Sequence, residues 1–204
     1  MSKCDCQEQA GQVAERSVLM TLLAINGVMF FAEIFAGVLA ESTGLIADSL
    51  DMLADAAVYG IAFYAVGREM STKIRAARFS GWFQIALAGG VLFDIVRRLV
   101  VGSDPDSWLM IGVGIFALIA NVACLGILAK HRKGEIHMRA SWIFSKNDVI
   151  ANLGVILAAL LIHFTGSRWP DLVIGGIITV IVFRGGIAIL RDASNSTGLG
   201  SSEK

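Results

Sequence analysis

Six stretches of the chain are apolar for about 20 residues each, and polar side chains gather in the short links between them. They run approximately from Val18 to Leu39, Thr43 to Val66, Phe79 to Val101, Trp108 to Ala129, Trp142 to Phe164 and Pro170 to Leu190. About 20 residues of helix cross the roughly 30 Å of hydrocarbon in a bilayer. The pattern therefore predicts an all-α integral membrane protein, a bundle of six transmembrane helices. No soluble domain is expected between the spans. Residues 1–15 and 192–204 read as short polar tails on either side of a transmembrane unit over 16–191. The first apolar stretch is too long for the core of a signal peptide and has no basic cluster before it, so it reads as a retained span.

The second stretch breaks its own pattern. Asp48, Asp51 and Asp55 fall at i, i+3 and i+7, a spacing that stacks side chains along one stripe of a helix. One carboxylate at the centre of a membrane helix costs about 2.5 to 3.5 kcal/mol even on a lenient insertion scale, so three on one stripe must face something that compensates them. A cation is the candidate. The fifth stretch carries Asp148 and Asn152 at i, i+4, with Ser145 one turn earlier. Were this face to meet that of Asp51 and Asp55, three carboxylates would converge, and either protons or a divalent cation would have to occupy the site. Exchange of one for the other is the basis of a proton-coupled metal exchanger: with metal bound the carboxylates are ionised, and after release their mutual repulsion favours proton uptake.

Other polar positions within the spans invite plainer readings. Asn26, Gln84 and Asn121 suit helix-to-helix hydrogen bonding, while Glu33, seven residues after Asn26, is placed to support the site or to bind a cation in transit. Arg184 is close enough to a span end to snorkel. Glycines at 89–90, 112, 114, 175–176 and 185–186 permit close helix approach. None follows a strand, and no phosphate-binding glycine motif is present.

Composition fits the bilayer as the main solvent, with 55% hydrophobic and 17% charged residues. Net charge is zero, so nothing in it points to nucleic acid as a partner. Arg68, Lys73, Arg75 and Arg78 follow the second span, and Lys130, Arg132, Lys133, Arg139 and Lys146 follow the fourth, which places both termini in the cytoplasm. Arg97, Arg98 and Arg168 lie on the opposite face, the first two spaced to pair with Asp94. The expected location is multi-pass in the cell inner (plasma) membrane. Three cysteines are too few for a disulfide framework. Cys124 reads as a buried inert thiol, whereas Cys4 and Cys6 suit either capture of a soft metal or a reduced tail.

The run from Gly44 to Asp55, preceded by Asn26 to Gly37, resembles the first two helices of the cation diffusion facilitators, and Asn147 to Gly154 resembles their fifth. That resemblance implies a homodimeric, proton-coupled exporter of zinc or a related divalent metal, the metal being substrate and no cofactor being needed; an all-oxygen donor set is less zinc-selective and leaves Mn, Fe, Co and Cd open beside zinc. It also implies a tetrahedral site with two ligands on the second helix and two on the fifth. Asp51 and Asp55 match the first pair and Asp148 the last position. Where most members place His or Asp, this chain has Phe144, so the fourth donor is open among Asp48, Ser145, Asn152 and water. His131 and His137 read as solvated loop residues. The family's usual cytoplasmic domain has no counterpart after the sixth span, so the chain reads as a membrane-domain-only relative. A non-transporting subunit or metal sensor on the same fold is the competing reading. An enzyme is not expected: intramembrane aspartyl proteases carry their carboxylates in Tyr-Asp and Gly-x-Gly-Asp contexts, and neither occurs here.

Overall fold

The computed structural model describes residues 3–65, 70–129 and 136–199. They form six α-helices: α1 (Lys3–Leu39), α2 (Thr43–Ala65), α3 (Met70–Val101), α4 (Ser107–Ala129), α5 (Ile136–Thr165) and α6 (Trp169–Leu199). Within the described residues, every expected span falls on a helix. Four helices are longer than expected: α1 begins at Lys3, α3 at Met70 and α5 at Ile136, while α6 runs on to Leu199. Once a span has formed the first turn, each added residue gains a backbone hydrogen bond without a new nucleation cost, so polar flanks readily continue as helix.

Five of the helices are long and apolar enough to cross a membrane by length and composition. The exception is α2, because every 18-residue stretch of it contains Asp48, Asp51 and Asp55. Its position accounts for that polarity. α2 packs on α1, α3, α5 and α6, and it is the most surrounded helix of the bundle. Its carboxylates therefore face other helices and not lipid. The outward faces of the neighbours are apolar, with Phe31, Phe35, Phe93, Phe116 and Phe164 exposed, as lipid contact requires. The molecule is an all-helical membrane bundle.

Two apolar clusters fill its interior. The larger joins Leu45 and Ala47 of α2 to Ala88 and Val91 of α3, Met110 of α4, Val155, Ala158 and Ala159 of α5, and Ile178 and Val182 of α6. The smaller joins Leu19 and Leu22 of α1 to Tyr59 of α2 and to Cys124 and Leu128 of α4. The aspartates of α2 lie between them in sequence and along the helix.

Close backbone approach holds the pairs of helices together. A Cβ at Gly81 would come 3.0 Å from the carbonyl oxygen of Gly186, and one at Gly186 would come 2.9 Å from that of Gly81, so α3 and α6 meet backbone to backbone. At the other end of α6, a Cβ at Gly175 would sit 2.7 Å from Cγ2 of Thr43. Gly175 and Gly186 thus let α6 reach both the start of α2 and the middle of α3.

The α1–α2 turn is tied on all sides. Glu41 adopts a left-handed conformation with φ 48°. Its carbonyl accepts a hydrogen bond from Arg98 Nη1, and its Oε2 accepts one from the Asp104 amide at 3.2 Å. Arg98, almost fully buried, also donates to Asp94 Oδ2 at 2.5 Å, and Arg97 pairs with the same carboxylate at 2.8 Å. Both arginines thus make the intrahelical pairs expected from their spacing.

Candidate functional site

α2 starts where Asp171, in the first turn of α6, accepts three hydrogen bonds. They come from Ser42 Oγ at 2.6 Å, the Thr43 amide at 2.6 Å and the Gly44 amide at 2.9 Å. The first amides of a helix have no partner within it, and here a carboxylate from a neighbouring helix supplies one. Ser42 Oγ in turn accepts from the Leu45 amide at 3.1 Å, the local cap that a serine in this position provides. These bonds tie the start of α2 to the first turn of α6.

About two and three turns further along, Asp51 and Asp55 line a small cavity of about 20 Å³ together with Gln84 of α3, Asp148 of α5, and Ile181, Val182 and Gly185 of α6. That is room for about one water molecule or one ion. Asp55 and Asp148 are buried and Asp51 half-buried. The Asp55 and Asp148 carboxyl groups are within hydrogen-bonding reach of each other, and Asp55 Oδ2 also accepts a long bond, 3.4 Å, from the Tyr59 hydroxyl. No lysine or arginine among the described residues pairs with any of these carboxylates. Among the described residues no three Asp, Glu, His or Cys side chains already stand as a metal-ligating group. The acids approach as a pair, Asp55 with Asp148, with Asp51 at the edge of the same cavity.

Convergence of the second-span and fifth-span faces is therefore what the structure displays. The other sequence candidates are distributed differently. Asp48 does not line the cavity; its Oδ1 accepts from Asn152 Nδ2 at 3.2 Å, and its carboxyl faces that of Glu33. Asn152 also donates to the Asp148 carbonyl at 2.9 Å, so its amide bridges α5 to Asp48. Ser145 is fully buried with its hydroxyl unpartnered, and it too lies away from the cavity lining. Asn26 makes the helix-to-helix contact expected of it, reaching Cys124 Sγ at 3.8 Å, and Cys124 is buried. His131 and the side chains of Cys4, Cys6, His137 and Phe144 lie outside the described residues.

Two polar groups at the site carry more than sequence assigns them. Gln84 reads as a helix-packing residue, yet its amide lies in the cavity with Oε1 unpartnered, against Gly185, where a Cβ would stand 3.2 Å from its Nε2. An amide in a span that also holds carboxylate-bearing neighbours is the signal, but it cannot say which helix the amide faces. Asp171 is not singled out by the sequence; its partners lie 127 to 129 residues away.

Residues 19–196 match the family described as the cation efflux transmembrane domain. The chain is 28% identical over 193 residues to the metal cation efflux system protein CzcD of Cupriavidus metallidurans, covering 89% of this chain and 61% of that protein. It is 25% identical over 198 residues to a cadmium, cobalt and zinc/H(+)-K(+) antiporter of Bacillus velezensis, covering 90% and 63%. It is 23% identical over 194 residues to the zinc transporter ZitB of Escherichia coli, covering 87% and 61%. The chain thus spans less than two thirds of the length of these curated relatives.

Proposed function

The chain belongs to the cation efflux transmembrane domain family, and from that premise we propose that it exports divalent transition-metal cations across a membrane in exchange for protons, by alternating access. The observation that carries the proposal is the shared cavity of Asp51, Asp55, Asp148 and Gln84, where carboxylates from two helices face one another without a fixed counter-charge. A small closure that draws Asp51 onto the Asp55–Asp148 pair would present three carboxylates to one ion. With the metal gone the same groups repel, and protons relieve that repulsion. In this scheme Asp51, Asp55 and Asp148 are both ligands and proton carriers.

Zinc is the favoured substrate, since relatives are named for zinc, cadmium and cobalt. A donor set of oxygens without imidazole or thiolate discriminates less sharply than the usual zinc site, so Cd, Co, Mn and Fe are competitors for it. The bundle would work as a homodimer in the cell inner membrane, with both termini in the cytoplasm.

The test is metal uptake into vesicles reconstituted with the full chain under an imposed pH gradient, run against a panel of divalent metals. Gradient-dependent uptake that falls to the protein-free level in Asp55→Asn and Asp148→Asn supports the proposal. Uptake that is indifferent to both substitutions overturns it. Metal binding without flux would instead identify a non-transporting subunit or sensor.

A further inference from the structure

We propose that Glu33, Asp48 and Asn152 form a second cation site, separate from the transport cavity and suited to a hard, oxygen-preferring ion. The three side chains come from α1, α2 and α5, and each is at most 1% exposed. The Glu33 and Asp48 carboxyl groups are within hydrogen-bonding reach of each other. Neither brings a donor of its own when ionised. Asn152 Nδ2 donates within the site to Asp48 Oδ1 at 3.2 Å and outside it to the Asp148 carbonyl at 2.9 Å.

What remains is a group of buried oxygens with nothing to accept from. Glu33 Oε1 and Oε2, Asp48 Oδ2 and Asn152 Oδ1 all lack a hydrogen-bond partner. Buried acceptors are seldom left so, because their desolvation is then uncompensated. One proton shared between the two carboxyl groups would satisfy two of the four atoms. A hard cation, which gathers about six or more oxygens, would offset the two negative charges as well as supply these acceptors with a partner. No lysine or arginine among the described residues pairs with Glu33 or Asp48. The donors are two carboxylates and an amide oxygen, without nitrogen or sulfur, which favours ions of the Na⁺, K⁺, Mg²⁺ and Ca²⁺ type over the zinc group. None of the three residues lines the cavity that holds Asp51, Asp55 and Asp148. The second site is connected to it all the same, through Asn152, whose Nδ2 is bonded to the backbone of Asp148.

The experiment is thermal unfolding of the full chain in lipid nanodiscs, titrated separately with the chlorides of Na⁺, K⁺, Mg²⁺ and Ca²⁺ against choline chloride at matched ionic strength. At least one of the four is expected to raise the Tm saturably where choline does not. Glu33→Gln should weaken the midpoint of that response by about tenfold or more, and Asp55→Asn should leave it in place. Should Glu33→Gln fail to fold, Asn152→Ala is judged by the same criterion. The proposal is overturned if none of the ions acts beyond choline, if the midpoint is indifferent to loss of the Glu33 carboxylate, or if Asp55→Asn abolishes the response, which would put the ion in the transport cavity. Loss of zinc flux in Asp55→Asn with the hard-ion response intact separates this site from the transport reading, and absence of flux in the unaltered protein would leave the site standing.

Discussion

Asp171 and Asp55 are both buried carboxylates on helices of one bundle, and the structure treats them in opposite ways. Asp171 accepts three hydrogen bonds of 2.6 to 2.9 Å from fixed donors at the start of α2. Asp55 has one 3.4 Å bond from Tyr59, and its other close neighbour is another carboxyl group. The first acid is satisfied by the protein itself; the second, in the proposed mechanism, is satisfied by an ion or proton that arrives and leaves. Burial alone therefore does not mark a transport residue. The identity of the partner is the distinguishing feature on the proposed reading: fixed N–H and O–H groups mark a structural acid, and facing carboxylates mark a site for exchange.

The strongest test of this contrast exchanges the two phenotypes. Asp55→Asn or Asp148→Asn should lower gradient-driven metal flux by about 100-fold or more, while denaturation in detergent shows unchanged or slightly higher stability, since a mutual repulsion is removed. Asp171→Ala should behave in reverse. Losing three bonds to a charged acceptor and the cap of α2 is expected to cost about 3 kcal/mol, read from denaturant midpoints, with flux per folded molecule within about threefold of normal. Equal losses of flux and stability in both variants would erase the distinction.

A subtler probe leaves Asp171 in place and pushes the two helices apart. Gly175→Ala sets a methyl 2.7 Å from Thr43 Cγ2 and 3.1 Å from its backbone carbonyl carbon, so α6 must retreat from the start of α2. A cost of about 1 to 3 kcal/mol in the same unfolding assay is expected. The smallest effect belongs to Tyr59→Phe, which removes one long bond from Asp55 and should change stability by less than about 1 kcal/mol, with flux altered by a few-fold at most. A loss as large as that of Asp55→Asn would make the hydroxyl part of the exchange machinery.

The helices were legible because 20-residue apolar stretches have few alternatives, and the meeting of Asp51, Asp55 and Asp148 at one cavity was legible from their spacing. The stripe itself was less uniform than its spacing suggests. At 3.6 residues per turn, positions 48, 51 and 55 fan over about 60°. Within that fan Asp48 points within about 20° of Asp55, but it sits seven residues, about 10 Å, away along the axis, so height more than direction gives Asp48 to Asn152 while Asp51 and Asp55 line the cavity. Periodicity reports which residues share a face, and only the packing of helices reports what the face meets. Gln84 shows the same limit: its type and depth are visible in sequence, but its place opposite Asp148 depends on α3 meeting α6 through Gly81 and Gly186. Asp171 lay furthest from reach, since the bonds that define it join positions more than 120 residues apart.

The α1–α2 turn has a mechanical consequence. Only residues 40–42 separate the two helices, and the Ser42 amide bonds back to the Gly37 carbonyl at 3.0 Å. A Cβ on Gly37 would already touch the Ile46 amide nitrogen at 3.1 Å, so the helices are pressed together from the bend onward. Such an elbow transmits torque and has no slack. If α2 tilts to open the cavity to one side of the membrane and then the other, α1 must swing with it as a single lever, and spin labels on the two helices near the bend should hold their separation through the whole transport cycle.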